Sequence, residues 1–353
     1  MPVSRASIEN QLHQAWSVLF PGHPVSIDDD FFMLAGEGSA GILALRARSG
    51  MERLLGRDIP LSLMVKYPTI RELAAFLAEA GDLDWPLVVK LEEGPEDRHF
   101  FLFPPLDGNS IWYRPLAAEL GNCRTVWGLE IPGLDKRQRP IFSMPELASR
   151  FVGEIRSIQE KGPYFLGGYS FGGLLAFEAA VQLEAEGETI AILAMLDRSC
   201  PIAGKSVMGG MVCPSALIPG HRPLAWKIDA HWNWTTRWIK TRVRLAKGGK
   251  RWKENARVPD TRKIMKAAAL QMMAFYSPKS RLGGKMVLLR QEGTGPADRG
   301  LDETYGWKDH VESGIDIRII PGPHSEVLDG RNAGILASHL RPYLGREGNS
   351  GGE

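Results

Sequence analysis

Apolar positions divide the chain into two textures. Through residue 80 they recur only at helical spacing, beginning with Ile8, Leu12, Trp16 and Leu19 at intervals of four, four and three. Pro21-Gly22 is expected to end that first helix. Further apolar sets over residues 42–55, 61–65 and 70–77 predict three more helical pieces, and Pro68-Thr69 puts a proline at the start of the last. With no strand pattern present, the stretch reads as a small all-α four-helix bundle. After Gly81 short continuous apolar runs take over, at 87–89, 100–103, 125–129, 164–166, 190–196, 285–289 and 315–320, with helical stretches such as 174–183 between several of them. Apolar strands alternating with helices predict a mostly parallel sheet covered on both faces.

Residues 201 to about 265 break this rhythm. Five of the ten tryptophans fall there (Trp226, Trp232, Trp234, Trp238 and Trp252), and between Arg222 and Lys253 ten basic residues face one acid, Asp229. The segment reads as a helical lid over the carboxyl edge of the sheet, where sites of open α/β folds lie. Its Trp and Arg content fits an amphipathic helix pair with a solvated basic face, or a surface for an aromatic or anionic acyl chain. The expected division is therefore 1–80, a link at 81–86, a sheet domain at 87–345 with the lid inside it, and a Gly-rich tail at 346–353.

Composition adds exclusions. A chain of 353 residues suggests two domains. A net charge of +2 provides no global field for nucleic acid. Cys123, Cys200 and Cys213 are odd in number and form no Cys-x-x-Cys pair, which speaks against a disulfide framework or a zinc site. A reducing compartment, the cytoplasm, is expected; so is the absence of a metal. No signal-peptide pattern opens the sequence and no apolar run reaches the length of a membrane span.

The chemistry concentrates at Gly168-Tyr169-Ser170-Phe171-Gly172, between a predicted strand and a predicted helix. A strand-to-helix turn this tight leaves no room for side chains at 168 and 172, and it exposes the Ser170 hydroxyl as a nucleophile. Serine needs a base. Of eight histidines, His324 alone follows a late strand directly, after the turn Pro321-Gly322-Pro323; His13, His23 and His99 precede the elbow, His221 and His231 belong to the lid, and His310 and His339 read as helical. The orienting acid is expected at Asp197, which ends the strand after the nucleophile strand, with Glu292 as its competitor. Two backbone N–H groups should stabilise an oxyanion, one from Phe171 and one from Leu106 in the loop Pro104-Pro105-Leu106-Asp107-Gly108.

These motifs, with Tyr113-Arg-Pro-Leu116, Met195-Leu-Asp197 and Pro321-Gly-Pro-His324, resemble the type I thioesterase domains that end nonribosomal peptide synthetases and polyketide synthases. The resemblance implies an α/β-hydrolase fold, places the acid at Asp197 rather than Glu292, and makes the insertion the family's lid. Residues 1–80 resemble a peptidyl carrier domain through Val25-Ser-Ile-Asp-Asp-Asp-Phe-Phe-Met-Leu34, Asp58-Ile-Pro-Leu61 and Tyr67-Pro-Thr-Ile-Arg-Glu-Leu73. In that family a serine at the start of the second helix carries 4′-phosphopantetheine. Here the stretch Leu34-Ala-Gly-Glu-Gly-Ser39-Ala is one residue longer than the usual motif, and Ser39 is the serine present. Counting back from Pro60 misses Ser39 by two residues, which suggests an irregular helix near Ser49-Gly50.

The pair implies a thioesterase fed by its own carrier, releasing an acyl or peptidyl chain from its thioester by hydrolysis or cyclisation. Upstream synthetase modules and a phosphopantetheinyl transferase would be its partners. Two other functions are compatible with the sequence: a generic serine esterase or lipase with an accessory helical domain, and a non-catalytic carrier or docking protein.

Overall fold

The structure is a computed structural model and describes residues 4–36, 40–80, 83, 85–133, 141–201, 205–208, 211–214, 261–292 and 301–345. Ser39, most of the lid and the tail at 346–353 lie outside the described residues.

Its centre is a seven-stranded sheet. In chain order the strands are β1 (Val88–Glu92), β2 (His99–Phe103), β3 (Thr125–Leu129), β4 (Tyr164–Tyr169), β5 (Ile190–Leu196), a separate hairpin of β6 (Lys205–Met208) and β7 (Met211–Pro214), then β8 (Lys285–Gln291) and β9 (Ile315–Ile320). The order across the sheet is β1-β3-β2-β4-β5-β8-β9. Only β1 runs antiparallel, against β3; every other pairing is parallel. Central strands such as Phe100-Phe101-Leu102-Phe103 are buried throughout because helices cover both faces. Helices Met144–Ile158, Phe171–Ala185 and Thr261–Phe275 pack on one face, and Arg114–Leu120 with Gly330–Leu344 on the other.

The predicted strands all appear; β2, β4 and β8 are longer at one end, and β1 starts one residue later and runs on to Glu92. The lid differs from expectation: among its described residues it opens with the β6–β7 hairpin, and its last part is already the helix Thr261–Phe275. Two β-type runs separated by Gly209-Gly210 are a hairpin signal, so this piece had a signature beneath the helical reading.

Before the sheet the described residues are helical or irregular: Arg5–Ser17, Phe31–Ala35, Ala40–Leu55, Ser62–Lys66 and Ile70–Glu79. There are five helices, not four. The extra one is a single five-residue turn whose cap is Asp30, which accepts from the N–H groups of Phe32 and Met33. The last helix is capped by Thr69, whose side chain and Glu72 form a reciprocal capping box. Pro68 therefore lies outside that helix, and its carbonyl accepts from Phe31 N–H at 2.9 Å. Helix Ala40–Leu55 runs unbroken through Ser49-Gly50. The Ser49 hydroxyl bonds back to the Leu45 carbonyl, and Gly50 faces Ala15 of the first helix, where a Cβ would meet it in ordinary contact at 3.4 Å.

These helices seat against residues 107–114 of the sheet layer, and helix Ser62–Lys66 also meets β1. Ile111 is buried in their apolar cluster, the Arg114 guanidinium lies 3.7 Å from the Phe32 ring centre, and a Cβ at Gly41 would stand 2.6 Å from the Trp112 ring. Beneath the contact are two buried carboxyls. Asp107 accepts from Trp112 Nε1 at 2.6 Å, and Glu130 accepts from the N–H and hydroxyl of Ser110 at 2.9 and 2.6 Å. Burial pushes both carboxyls up, Glu130 to about 7, while the charge of Arg48 on helix Ala40–Leu55 opposes the shift. Among the described residues, no helix is long and apolar enough to cross a membrane.

The buried Glu130 gives a pH signature. Its folded value of about 7 exceeds the ordinary 4.5, so between these the folded chain holds a proton that the unfolded chain releases. The group's contribution is therefore full below about pH 4.5 and is lost as pH rises through about 7. Glu130→Gln should remove this slope, leaving the variant more stable than the unaltered chain at about pH 8 by at most about 3 kcal/mol. Urea unfolding from about pH 5 to about pH 8 checks it; equal slopes in both proteins would contradict it.

Candidate active site

Ser170, Asp197 and His324 each stand just past the end of a parallel strand. Ser170 follows β4 directly and precedes helix Phe171–Ala185, at φ 54° and ψ −113°. The glycines around it are required by space. A Cβ at Gly168 would fall 2.3 Å from the Gly172 carbonyl, and one at Gly172 would fall 2.3 Å from the Phe103 carbonyl oxygen. The helix start thus presses against the ends of β4 and β2, and Ser170 bridges the gap in a backbone conformation that costs on the order of 1–3 kcal/mol.

Asp197 ends β5, also in the left-handed region at φ 49°, with its N–H bonded to the Leu289 carbonyl at 2.7 Å. No helix follows it in residues 198–201, so it does not serve as a helix cap. His324 opens a single 3-10 turn, His324–Glu326, just past β9. Its Nδ1 lies 2.6 Å from Asp197 Oδ2 and its Nε2 lies 3.0 Å from Ser170 Oγ. An ionised carboxylate can only accept, so Nδ1 carries the ring hydrogen and Nε2 is left to accept the serine proton. The Asp197 side chain is 2% exposed and that of His324 47%, so the carboxyl is sealed beneath a half-open imidazole.

Glu292, the competing acid, is solvent-exposed, and its N–H bonds to the Ile320 carbonyl. The residue before it faces the site instead. Gln291 donates its backbone N–H to Asp197 Oδ1 at 3.3 Å and its side-chain amide to Oδ2. Asp197 therefore has three donors in place of water. Tyr169 was also missed as a site residue: its hydroxyl donates to the His324 carbonyl, and its ring centre lies 4.8 Å from the imidazole. Burial and the Asp197 charge push that phenol well up, so it stays a neutral donor. Its position directly before the nucleophile was the available signal, but its partner lies 155 residues away.

The two oxyanion candidates flank the same corner. Phe171 is the first residue of its helix, where an N–H has no intrahelical partner. Leu106 stands in a turn after β2, closed by Gly108 N–H to the Pro105 carbonyl at 2.9 Å. Ser39 lies outside the described residues. Of the other histidines among the described residues, His13 Nε2 meets the Val25 carbonyl and His339 Nε2 the Ile319 carbonyl; His221 and His231 lie outside the described residues.

A serine paired with a histidine and acid at the carboxyl edge of such a sheet has the arrangement of an α/β-hydrolase acyl-transfer site. Comparison with known proteins narrows the class. Residues 98–207 match the family model for the thioesterase domain, a span that includes Ser170 and Asp197. The chain is 34% identical over 196 residues to malpinin synthetase of Mortierella alpina, 32% over 197 to indigoidine synthase of Dickeya dadantii (strain 3937), and 30% over 193 to surfactin synthase subunit 3 of Bacillus subtilis (strain 168). These alignments cover 55%, 56% and 55% of this chain but 2%, 13% and 14% of those proteins, so the chain spans a small part of its curated relatives. A holo four-domain nonribosomal peptide synthetase bound to AMP and glycine matches the fold with TM-score 0.59 at 22% identity, over 95% of this chain and 26% of that one. The Vlm2 thioesterase domain bound with a dodecadepsipeptide reaches 0.51 at 18%, over 74% and 99%. Residues 98–207 are thus similar to a thioesterase domain, and the matched part of the chain is similar to short stretches of much longer synthetases.

The geometry separates the two acids experimentally. Asp197→Asn is expected to lower kcat on an acyl thioester by roughly 10³–10⁴-fold, because the imidazole loses its oriented tautomer. Glu292→Gln is expected to stay within about twofold of the unaltered chain. Steady-state kinetics on both variants checks this, and the reverse ranking would move the acid to Glu292.

Proposed function

We propose that this chain releases an acyl or peptidyl chain from a carrier-bound thioester, with Ser170 as nucleophile, His324 as base, Asp197 as orienting acid, and Phe171 and Leu106 N–H groups as the oxyanion hole. The single observation that carries the reading is His324 standing 2.6 Å from Asp197 and 3.0 Å from Ser170 at the open edge of the sheet. In the first half, Ser170 Oγ attacks the thioester carbonyl while its proton passes to His324 Nε2. The C–S bond then breaks, and the departing thiolate takes that proton. In the second, water, or an amine or hydroxyl of the substrate itself, attacks the Ser170 ester; its proton goes to His324 and returns to Ser170 Oγ as the ester bond breaks. Water gives a free acid; the substrate's own group gives a ring.

The same proposal assigns residues 1–80 as a carrier domain with its attachment site at Ser39, and 87–345 as the thioesterase. A 4′-phosphopantetheine ester at Ser39 would supply the thiol on which the acyl chain arrives. The neighbouring residues fit an arm held in solvent: Met33 is 83% exposed, Ile42 is 50% exposed, and Gly36 is exposed. The fold likeness to a multidomain synthetase, at 95% of the chain, extends into these helices. Packing of the helices on Trp112, beside the loop of Leu106, supports delivery from that side. Tethering of this kind raises the local concentration of the thioester. The partners are then upstream synthetase modules and a phosphopantetheinyl transferase, in the cytoplasm, a setting that suits the unpaired Cys123 and Cys200.

Intact-mass spectrometry after incubation with a broad-specificity phosphopantetheinyl transferase and coenzyme A tests the carrier assignment. The expected result is a mass gain of one arm, absent in Ser39→Ala. No gain in the unaltered chain, or an equal gain in the variant, would overturn it.

A further inference from the structure

We propose that Tyr113 is a positioning residue whose hydroxyl holds the two halves of the oxyanion hole in register. The inference deepens the reading above and rests on its assignment of the Leu106 and Phe171 N–H groups.

Tyr113 ends the 3-10 turn Ser110–Tyr113 and is completely buried. Its hydroxyl donates to the Phe103 carbonyl at 2.7 Å and accepts from the Tyr169 N–H at 2.8 Å. Those two groups belong to the last residues of β2 and β4. Phe103 leads into Pro104-Pro105-Leu106, and Tyr169 leads into Ser170-Phe171. The parallel ladder between the strands ends at the pair Phe103 and Gly168. Beyond that pair no strand partner fixes one chain against the other, yet the two N–H groups of the hole must converge on one oxygen.

The tyrosine hydroxyl fills this gap. It relays Tyr169 N–H to Phe103 C=O, so that the ladder continues one step further through a side chain. Burial pushes the phenol far above its ordinary value, and it therefore remains a neutral group that donates and accepts at once. The ring belongs to the buried apolar cluster that also holds Phe100, Leu116 and Val126, and its turn is anchored by Ser110 on Glu130. Tyr113 touches no reacting atom in this arrangement; it acts through the two loops it joins.

A buried tyrosine with satisfied bonds could be structural only, and Tyr164 supplies the control. It begins β4, its ring is equally buried, and its hydroxyl lies 3.1 and 2.9 Å from the Gln159 and Glu160 carbonyls at the end of the strand away from Ser170. Tyr113→Phe and Tyr164→Phe each keep the ring and lose only the hydroxyl, so both should fold, with comparable falls in Tm.

The expected result is specific to Tyr113. In Tyr113→Phe, kcat on a soluble acyl-pantetheine thioester falls about ten- to a hundredfold with KM within about twofold, since removal of a whole oxyanion donor costs about 10²–10³ and displacement costs less. Inactivation by a serine-directed phosphonate, which forms a tetrahedral adduct in the same hole, slows in proportion. Tyr164→Phe retains the kcat and inactivation rate of the unaltered chain. Unchanged kcat and inactivation in Tyr113→Phe, or an equal loss in Tyr164→Phe, would overturn the inference. Absence of phosphonate labelling at Ser170 in the unaltered chain would overturn the parent reading and this inference together, so the two failures are distinguishable.

Discussion

The site depends on one close approach: the start of helix Phe171–Ala185 driven against the ends of β4 and β2. Two glycines permit it, since a Cβ at Gly168 or Gly172 would stand 2.3 Å from backbone atoms across the contact. Ser170 has no room to relax there and takes up φ 54° and ψ −113°. The strain is held by burial on both sides, because five of the six residues of β4 are buried and the helix buries residues nearly all round. A serine in an ordinary helical or extended conformation at this junction would fold its hydroxyl along the element; this one stands clear of both.

The parallel sheet then brings the remaining groups to the same edge. Once β5, β8 and β9 lie in register beside β4, their carboxyl ends deliver Asp197, Gln291 and His324 within reach of each other. A buried carboxylate at this point would be costly alone. Its bonds to His324 and to both N–H groups of Gln291 offset that cost and fix the ring face presented to Ser170. Tyr169 secures the same histidine from its backbone side. The imidazole is thus restrained at two points yet half open to solvent.

Much of this was legible in the sequence because parallel strands covered on both faces are written as continuous apolar runs. Each of the residues Ser170, Asp197 and His324 is a polar residue closing or soon following such a run, so their convergence could be anticipated from strand order. What stayed hidden were groups defined by partners distant in sequence. Gln291 gains its meaning from Asp197, 94 residues away, and Tyr169 from His324. Local errors have local causes. Helix Phe31–Ala35 is too short for any periodicity and is marked only by its Asp30 cap. Pro68 lies before the helix because Thr69 and Glu72 form a stronger start signal. The hairpin in the lid was obscured by the density of helix-compatible residues after it.

The N-terminal helices meet the sheet layer at β1 and at the segment that follows the loop of Leu106. Ile111 and Trp112 face the helices, and Tyr113 faces the strand ends. The contact with the helices and the tie between the ends of β2 and β4 therefore share one short piece of chain. The central claim is that Ser170 receives an acyl group from a thioester. The most direct measurement is rapid-quench incubation with a soluble acyl-pantetheine thioester, followed by proteolysis and peptide mass mapping. The account predicts a transient acyl mass on the peptide containing Ser170, lost in Ser170→Ala. Thioester turnover with no acyl mass on that peptide, or with the mass on another residue, would contradict it.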